Sequence, residues 1–349
     1  MSELSELRKR IGETDEKIIA AISERNDIAM RIGELKKKEG IPLRNTDVEK
    51  KVIERYRELA KNTSLSEDDA EAICKILISG SVELQSAIVR RTISKKMTII
   101  GGAGKMGQWL LRYFRNAGAD VNVVDISEGN INDAAGSDVV IVSVPIPSVA
   151  SVLKEIDGVC RKDALIFDIS SIKSPFVPLL REMAERRKVC SVHPMFGPSA
   201  RSVSGRNVIV CDCGCKSAVS EAAELFDGGN ITVTGVEDHD KLMAYVLAFA
   251  HASNIVFFTA LRNSGISFEE MRKVSSTTFE RSLNAAIPVS EENASLYHGI
   301  QRLNANAEEM WKVYENAVKE VKNASLSDDA EEFADLMENG RKYLKGDHL

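Results

Sequence analysis

A glycine-rich turn is the first feature of this sequence that could do chemistry. The segment GGAGKMG places Gly102, Gly104 and Gly107 in a G-x-G-x-x-G spacing, with Lys105 and Met106 before the last glycine. An apolar strand precedes this segment and a helical pattern follows it, so the phosphates of a dinucleotide could lie at the helix N-terminus. The spacing therefore predicts a dinucleotide site, although a tight strand-to-helix turn without a ligand could use the same glycines.

Asp125 ends the next predicted strand, at the distance along the chain where such sites carry an acidic residue. Its carboxylate could accept hydrogen bonds from both ribose hydroxyls of NAD, and it would repel the 2′-phosphate of NADP. No arginine follows it to offset that repulsion. The sequence therefore favours NAD over NADP, with an incidental surface aspartate as the alternative.

The first helical segment carries two cations on or beside its apolar row. Arg25 falls within the row and Lys36 beside its end, and their spacing of eleven residues turns them apart by only about 20°. Arg8 is offset from Arg25 by about 100°, which suits a pocket on a partner chain. The apolar row itself repeats at helical spacing: Leu4, Leu7, Ile11, Ile18, Ile22, Ala29, Ile32 and Leu35.

Cations in an apolar row are costly to bury unless an anion neutralises them. One interpretation pairs Arg25 with Glu49 or another helix carboxylate as a structural salt bridge. The other is a pocket for a small dianion, to which Ser81 and Gln85 of the third helix would add a polar strip. Geometry alone leaves both open.

His193 lies in the segment SVHPMFGP, where a predicted strand ends and a turn with two prolines begins. Ligand chemistry in parallel α/β sheets is found at such strand ends, and prolines restrict the backbone that follows. A catalytic imidazole and a packed structural histidine both fit this position. The segment CDCGC, which holds Cys211, Cys213 and Cys215, is interpreted as a strand edge or turn with reduced thiols, and a metal site there remains the alternative.

The elements that position these residues fall into three predicted domains, 1–93, 97–236 and 237–349. The first is all helical, with helices over 4–38, about 46–61 and from after Ser66 to about 91, and Thr46 with Glu49 fits a capping box. Three such helices do not make a compact monomer, so a partner chain is implied. The second alternates strands and helices, which predicts a parallel, Rossmann-type sheet. The third is helical, with predicted helices over 238–263, 267–286, 292–323 and 327–344.

The bulk composition excludes some functions. The chain has 349 residues, 44% hydrophobic and 28% charged, with a net charge of −6. A net negative charge argues against nucleic acid or an anionic membrane surface as a partner. We expect no apolar run long enough to cross a bilayer and no signal segment, which together predict a cytoplasmic protein.

Two parts of the chain resemble known enzymes. The segment LRKRIGETDEKIIAAISERNDIAMRIGELK, with SVELQ in the third helix, resembles the all-helical chorismate mutases, which are intertwined dimers. Residues 97–349, with GGAGKMG, SVPI, DISSIK and HPMFGP, resemble prephenate dehydrogenase. Mutase followed by dehydrogenase is the order of the bifunctional enzymes of tyrosine biosynthesis. The resemblance implies both activities, a homodimer, a C-terminal dimerisation domain and NAD as cofactor.

The mutase resemblance assigns roles by position. It implies that the two arginines clamp the substrate carboxylates, that Lys36 and Gln85 donate to the ether oxygen, and that Asn45 and Glu49 hold the ring hydroxyl. Val48 departs from the family, because the bacterial bifunctional enzymes have an arginine there. The implied site is Arg8 from one chain, with Arg25, Lys36, Asn45, Glu49, Ser81 and Gln85 from the other.

The dehydrogenase resemblance makes His193 the general base. It implies that Ser171 hydrogen-bonds the substrate hydroxyl or His193, and that Ser143 and Pro145 lie near the nicotinamide. His251 is implied as a substrate residue, although a histidine on an apolar helix can also be a satisfied core residue.

The cation for the substrate carboxylate departs from the family pattern. Pro288 stands where the family often has an arginine, and Arg281 is taken as the substitute. Prephenate and arogenate therefore both remain open as substrates. His239 is expected to be exposed and structural.

Two rival interpretations remain. One is a single-function dehydrogenase of the arogenate or 3-hydroxyacid type, with the N-terminal helices as a dimerisation arm and Lys241 as its candidate catalytic lysine. The other is a non-catalytic NAD-binding redox sensor. Neither gives a reason for cations on the apolar row of the first helix.

Overall fold

The computed structural model describes residues 2–39, 41, 45–89 and 92–346. The chain divides into two compact units. We call residues 1–143, 154–169 and 183–233 the sheet unit, and residues 144–153, 170–182 and 234–349 the helical unit. The predicted three-domain boundaries stay a prediction.

The N-terminal part of the sheet unit is helical, as expected. It contains α1 (Glu3–Glu39), α2 (Thr46–Ala60) and α3 (Glu67–Val89). The capping prediction was displaced by one residue, because Asn45 and not Thr46 caps α2: its side-chain oxygen accepts from the amides of Asp47 and Val48 at 3.0 and 3.1 Å. Most large side chains of the predicted apolar row of α1 are exposed in the single chain, Leu4, Leu7, Ile11, Ile18, Ile32 and Leu35 among them.

A seven-stranded sheet follows in the order β2-β1-β3-β4-β5-β6-β7. Strands β1 to β5 pair in parallel, whereas β6 runs antiparallel to β5, which the prediction of a purely parallel sheet missed. The last strand was not predicted either. The strands are β1 (Lys96–Ile100), β2 (Asp120–Val124), β3 (Val139–Val142), β4 (Leu165–Asp168), β5 (Val189–Pro194), β6 (Asn207–Asp212) and β7 (Asn230–Gly235).

Two helices, α4 (Lys105–Asn116) and α7 (Lys216–Leu225), pack on the sheet and form its core with it. β3 and β4 are buried along their whole length, as expected for inner strands of a parallel sheet covered on both faces. An aromatic cluster fills the space between these helices and the sheet: Trp109, Tyr113, Phe114, Phe167 and Phe226.

The remaining helices have bounds that differ from the prediction. The predicted helix 267–286 is two helices, which separate before the N-cap Ser276, and the second continues through Pro288. The predicted helix 292–323 breaks at Asn304. The helices are α5 (Ile146–Asp157), α6 (Val177–Ala184), α8 (Val236–Met243), α9 (Ala250–Asn263), α10 (Phe268–Lys273), α11 (Thr277–Glu291), α12 (Ala294–Leu303), α13 (Ala307–Leu326) and α14 (Ala330–Lys345).

A π-helical segment, Ala244–Phe249, joins α8 to α9 without a break. The combined run Val236–Asn263 is 28 residues long and, by length and composition alone, is apolar enough to cross a membrane. The expectation that no apolar run reaches that length was therefore wrong. Asp240 within this run is buried and accepts hydrogen bonds from other parts of the helical unit, as described below.

Candidate functional site

The glycine turn has the close approaches that its spacing predicts. A Cβ atom on Gly107 would lie 2.4 Å from the carbonyl oxygen of Gly101, and one on Gly102 would lie 2.5 Å from Cγ1 of Val123. Gly104 caps α4 without a side chain. Lys105 is exposed and Met106 is half-buried against the sheet core. Gly102, Gly104 and Gly107 therefore place no side chain between a phosphate and the N-terminus of α4.

The Asp125 carboxylate is fixed by the glycine turn. Its Oδ2 accepts from the amide of Ala103 at 2.9 Å and its Oδ1 from the amide of Ile126 at 2.8 Å. Each oxygen keeps a second lone pair for a ribose hydroxyl. The predicted partners of the pyrophosphate and of a ribose are thus joined by the hydrogen bond between Ala103 and Asp125.

The strand order places this turn at a topological switch point. β2 and β3 lie on opposite sides of β1, and ligands bind in the crevice that such an order creates at the carboxyl ends of the strands. Ser143 follows β3 and its amide donates to the carbonyl of Ile100 at 2.7 Å, so it lies at this crevice. Pro145 directly precedes α5.

His193 lies near the carboxyl end of β5, paired with Ile209 of β6, and is 4% exposed. The turn after it is held by Trp109 of α4. The indole Nε1 donates to the carbonyl of Ala200 at 2.5 Å, and the indole packs edge-on against Phe196 at 5.0 Å between ring centroids. The helix that begins at the glycine turn therefore also holds the turn that follows the histidine.

In the helical unit, the DISSIK loop with Ser171 is held by a buried carboxylate. Asp240, 2% exposed, accepts from the amides of Lys173 and Ser174 at 3.0 and 2.6 Å, and from the hydroxyl of Ser174. His239 Nδ1 lies 2.7 Å from its Oδ1. Burial acts to raise the pKa of Asp240, but the hydrogen bonds from His239 and Ser174 outweigh it and the net pKa is lowered.

His239 is fully buried, so the expectation that it is exposed was wrong. The reason is that α8 turns this side chain toward Asp240 inside the unit instead of toward solvent. Lys241, the candidate of the 3-hydroxyacid interpretation, is 66% exposed and pairs with Asp238 at 3.3 Å.

His251 of α9 stacks on Tyr297 of α12, with ring centroids 4.0 Å apart and an angle of 13° between the rings. Burial lowers the pKa of His251, and the charge of Glu292 opposes this only in part. A neutral imidazole that is held by ring stacking is suited to form a hydrogen bond with a ligand without adding a positive charge to the site. Arg281 is exposed on α11.

In the helical N-terminal part, Arg25 is joined to α3. Its Nη1 donates to the carbonyl of Leu77 at 2.9 Å and to the hydroxyl of Ser81 at 2.5 Å. Within the described residues no carboxylate lies at ion-pair distance from Arg25, so the interpretation that pairs it with Glu49 or another helix carboxylate is wrong for the single chain. Gln85 is 7% exposed and donates to the carbonyl of Ala29 at 2.7 Å.

A cavity of about 360 Å³ opens between α2 and α3. Glu49 lines it, whereas Ser81 and Gln85 of α3 contact Arg25 and Ala29 of α1. Arg8, Asn45 and Val48 are exposed and Lys36 is half-buried. The cavity lining is Glu49, Ile53, Lys75, Ile78, Ser79, Val82, Glu83, Ser204, Gly205 and Arg206.

The cysteine segment has the predicted form of a strand edge and turn. Cys211 lies within β6, Cys213 follows the end of the strand, and Cys215 is the N-cap residue of α7. In the part of the chain that the structure describes, no three His, Cys, Asp or Glu side chains are grouped to hold a metal.

Sequence reasoning missed two residues that position this chemistry, Trp109 and Asp240. A tryptophan soon after a glycine turn, and an acid at the start of an apolar helix, were signals that could have drawn attention to them. Neither signal predicts which loop the side chain contacts, because those loops are distant along the chain.

Three family models match successive parts of the chain. Chorismate mutase type II matches residues 7–86, the nucleotide-binding domain of prephenate dehydrogenase matches 112–234, and the dimerization domain of prephenate dehydrogenase matches 235–339. The glycine turn lies just ahead of the second match. These matches occur in the order that the resemblance predicted.

Curated relatives agree with these matches. A chorismate mutase of Methanocaldococcus jannaschii is 36% identical over 27% of this chain and 96% of its own length. The T-protein of Haemophilus influenzae is 26% identical over 86% of this chain and 81% of its own. A probable arogenate/prephenate dehydrogenase of M. jannaschii is 29% identical over 71% of this chain, which spans only 60% of that protein.

A solved structure shows the same fold in the dehydrogenase part. Prephenate dehydrogenase from A. aeolicus, in complex with hydroxyphenyl propionate and NAD⁺, has a TM-score of 0.60 at 17% identity, over 73% of this chain and 99% of its own. The fold and its two sites define a helical mutase joined to a dinucleotide-dependent dehydrogenase. The chain belongs to the bifunctional family of chorismate mutase and prephenate dehydrogenase, the T-protein type.

These findings confirm the predicted family, the fold class and the pairing of a mutase with a dehydrogenase. The rival interpretation of the N-terminal helices as a dimerisation arm alone is wrong, because a chorismate mutase model matches them. The individual site residues stay predictions.

Proposed function

We propose that this chain rearranges chorismate to prephenate and then oxidises prephenate with NAD⁺ to 4-hydroxyphenylpyruvate, with loss of CO₂. The observation that carries the proposal is that α4 connects two predicted parts of one site. It begins at the glycine turn, and its Trp109 holds the turn that follows His193.

The mutase step needs no acid, base or nucleophile. It needs the extended substrate held folded and the charge that develops on the ether oxygen stabilised. Arg25, aligned by Ser81 and Leu77, supplies one fixed guanidinium, and Lys36 and Gln85 are the proposed donors to the ether oxygen. Arg8 is exposed on the same chain, which supports its proposed role in the site of a partner chain.

The glycine turn and Asp125 fit NAD. The bare turn leaves the N-terminus of α4 free for the pyrophosphate, and Asp125, already fixed by the turn amides, has lone pairs for the ribose hydroxyls. Ser143 and Pro145 would lie beside the nicotinamide. NAD⁺ bound there would accept the hydride that leaves C4 of prephenate.

His193 takes the proton from the C4 hydroxyl as the hydride leaves, and CO₂ departs from C1 as the ring becomes aromatic. An imidazole at the end of a strand suits this role, since its unperturbed pKa lies near the working pH. We propose that Ser171, on the loop that Asp240 holds, hydrogen-bonds the hydroxyl or His193. His251 and Arg281 are the proposed contacts to the rest of the substrate.

The purified protein and chorismate provide the test. Loss of chorismate without NAD⁺ measures the mutase, and formation of NADH after NAD⁺ is added measures the dehydrogenase. An unchanged chorismate absorbance would overturn the first half, and prephenate that accumulates without NADH would overturn the second. Arogenate is assayed in parallel, because the M. jannaschii relative is named for both substrates.

We further propose a cytoplasmic homodimer without nucleic-acid or membrane partners. The match to a dimerization domain and the exposed apolar row of α1 support the dimer. The acidic net charge supports the absence of anionic partners.

A further inference from the structure

The π segment Ala244–Phe249 lies between two residues that the dehydrogenase site depends on. A π turn holds one residue more than an α turn, and such turns are rare and often occur at functional sites. Asp240 and His251 are eleven residues apart, so a regular helix would place them within about 20° of each other. The extra residue turns His251 away from the face of Asp240 by about 100°.

Two side chains of one neighbouring helix hold this segment from outside. Gln301 of α12 donates through Nε2 to the carbonyl of Ala248 at 2.7 Å. Asn304, the C-cap of the same helix, donates through Nδ2 to the carbonyl of Asp240 at 2.8 Å. Gln301 thus binds a carbonyl inside the π segment, whereas Asn304 binds a carbonyl of α8 four residues before the segment begins, one that also accepts from the amide of Ala244.

The Gln301 contact lies next to His251. Ala248 is three residues before His251, about one turn, so the carbonyl that Gln301 binds belongs to the turn from which the imidazole projects. The ring of His251 stacks on Tyr297, which lies one turn from Gln301 on α12. The same helix therefore fixes both the backbone and the ring of this residue.

Two buried polar atoms in this region have no hydrogen-bond partner within the described residues, Nδ1 of His251 and Oε1 of Gln301. A buried polar atom without a partner costs roughly 1–3 kcal/mol. Such atoms in a native fold call for an explanation, and for Nδ1 of His251 a ligand that supplies the missing partner is one.

We propose that Gln301 is a positioning residue of the dehydrogenase site, which keeps the π turn in place and thereby directs His251 toward the substrate. The inference rests on the proposed function, in which His251 contacts the substrate. Gln301 itself touches neither substrate nor cofactor in this proposal. Its effect is on substrate binding and not on the chemical step.

The test compares Gln301→Leu with Arg302→Gln, a change at the exposed neighbouring position on α12. Leucine keeps much of the volume and removes the amide donor, so the hydrogen bond from α12 to the carbonyl of Ala248 is lost. We expect the KM for prephenate to rise about tenfold, with kcat changed less than about threefold. In Gln301→Leu the KM for NAD⁺ and the mutase rate should match those of the wild type. The control variant Arg302→Gln should match the wild type in all of these quantities.

NMR of the full-length protein supplies a readout that does not need activity. The chain has five histidines, so the imidazole signals can be assigned by single substitutions. In the wild type the His251 signal should carry the ring-current shift of Tyr297 and a pKa below the ordinary value. In Gln301→Leu both should move toward the values of an exposed histidine.

Unchanged KM and an unchanged His251 signal in Gln301→Leu would overturn the proposal. A lower mutase rate together with a higher KM for NAD⁺ and a lower melting temperature would also overturn it, since these changes indicate a general packing role. If the wild-type protein does not oxidise prephenate, the proposed dehydrogenase function is wrong. The NMR comparison then still tests separately whether Gln301 fixes the position of His251.

Discussion

His193 and Ser171 owe their positions to side chains that are distant in the sequence. Trp109 holds the turn after the histidine through one hydrogen bond and one ring contact. Asp240 holds the loop of the serine through backbone amides. A functional side chain here is only as well placed as the loop that carries it, so the holding residues matter as much as the reacting ones.

His193→Asn should separate the two activities. Asparagine can hydrogen-bond the substrate hydroxyl but cannot take its proton, so we expect the dehydrogenase kcat to fall at least about 100-fold. The mutase rate should stay within about twofold, because no proton is transferred in that step. Both rates are measured on one preparation. A variant that still produces NADH at the wild-type rate rules out His193 as the base.

Thiol reactivity should be confined to one cysteine. All six cysteines are reduced and five are buried, whereas Cys215 is half-buried at the start of α7. Burial raises the pKa of Cys160 to about 11, and only the thiolate reacts. We expect iodoacetamide at pH 8 to label one equivalent in the native protein, located at Cys215 by peptide mass.

The control for this labelling is Cys215→Ser, which should take up no label under the same conditions. Label on Cys160 at pH 8 would contradict the burial that the fold gives it.

At the scale of elements, the helical unit is built around the run from α8 to α9. One end of this run holds the DISSIK loop through Asp240, and its middle is held by α12 through Gln301. A composition apolar enough for a membrane is thus combined with a buried carboxylate whose hydrogen bonds all come from this unit. The run leaves apolar side chains exposed, Leu242, Tyr245 and Val246 among them, and it lies within the region that the dimerization-domain model matches. These side chains are therefore suited to a dimer interface.

Asp240→Asn should destabilise the fold. An asparagine amide offers one acceptor oxygen and turns an NH₂ group toward donors, so part of the network with Lys173, Ser174 and His239 is lost. We expect a loss of about 2–4 kcal/mol at pH 7, measured as a lower urea midpoint by circular dichroism. Asp238→Asn, at a carboxylate that is 64% exposed, is the matched control and should change stability by less than about 0.5 kcal/mol.

The effect of pH on this difference has a definite sign. The folded pKa of Asp240 lies below its unfolded value of about 3.9, so the ionised carboxylate contributes stability above that value. As the pH falls through the folded pKa, the wild type loses this contribution and the gap to Asp240→Asn should close. A gap that is constant down to pH 2 would show that the charge of Asp240 is not what the network uses.

At the scale of the whole molecule, the N-terminal helices leave an apolar surface that we propose a second chain covers. α1 leaves most of its apolar row exposed, and its Arg8 lies far along the helix from Arg25. Exposed apolar side chains in a continuous row are a sign of a protein interface. In the proposed mutase site Arg8 comes from the other chain, so a single chain would not complete the site.

A mixture of two inactive variants should recover mutase activity. Arg8→Gln and Arg25→Gln are each expected to lose at least about 100-fold in mutase rate, because each removes one carboxylate clamp. After unfolding and refolding together, half of the dimers are hybrids with one intact site, so activity should recover to about one quarter of the wild type. Arg31→Gln, at an exposed position on α1, is the control and should remain active.

Failure to recover activity, in a mixture shown by mass to contain hybrids, would mean that both arginines act within one chain. Recovery with either variant alone would mean that the arginine concerned does not bind substrate.

Local patterns were sufficient for much of this protein. The glycine turn, Asp125 and the end of β5 at His193 were predictable because each depends on a strand and the few residues that follow it. The three N-terminal helices were predictable because their apolar spacing and their stops are local. The characteristic segments of the two parts also identified the mutase and the dehydrogenase.

Only the tertiary structure decided which loops are held and which faces are buried. The antiparallel direction of β6, the burial of His239, the extra residue in the π turn and the hydrogen bonds of Arg25 to α3 all depend on contacts between residues far apart in the chain. Sequence spacing fixes where a side chain points along its own helix or strand. What lies opposite that side chain is set by packing, and packing is a property of the whole fold.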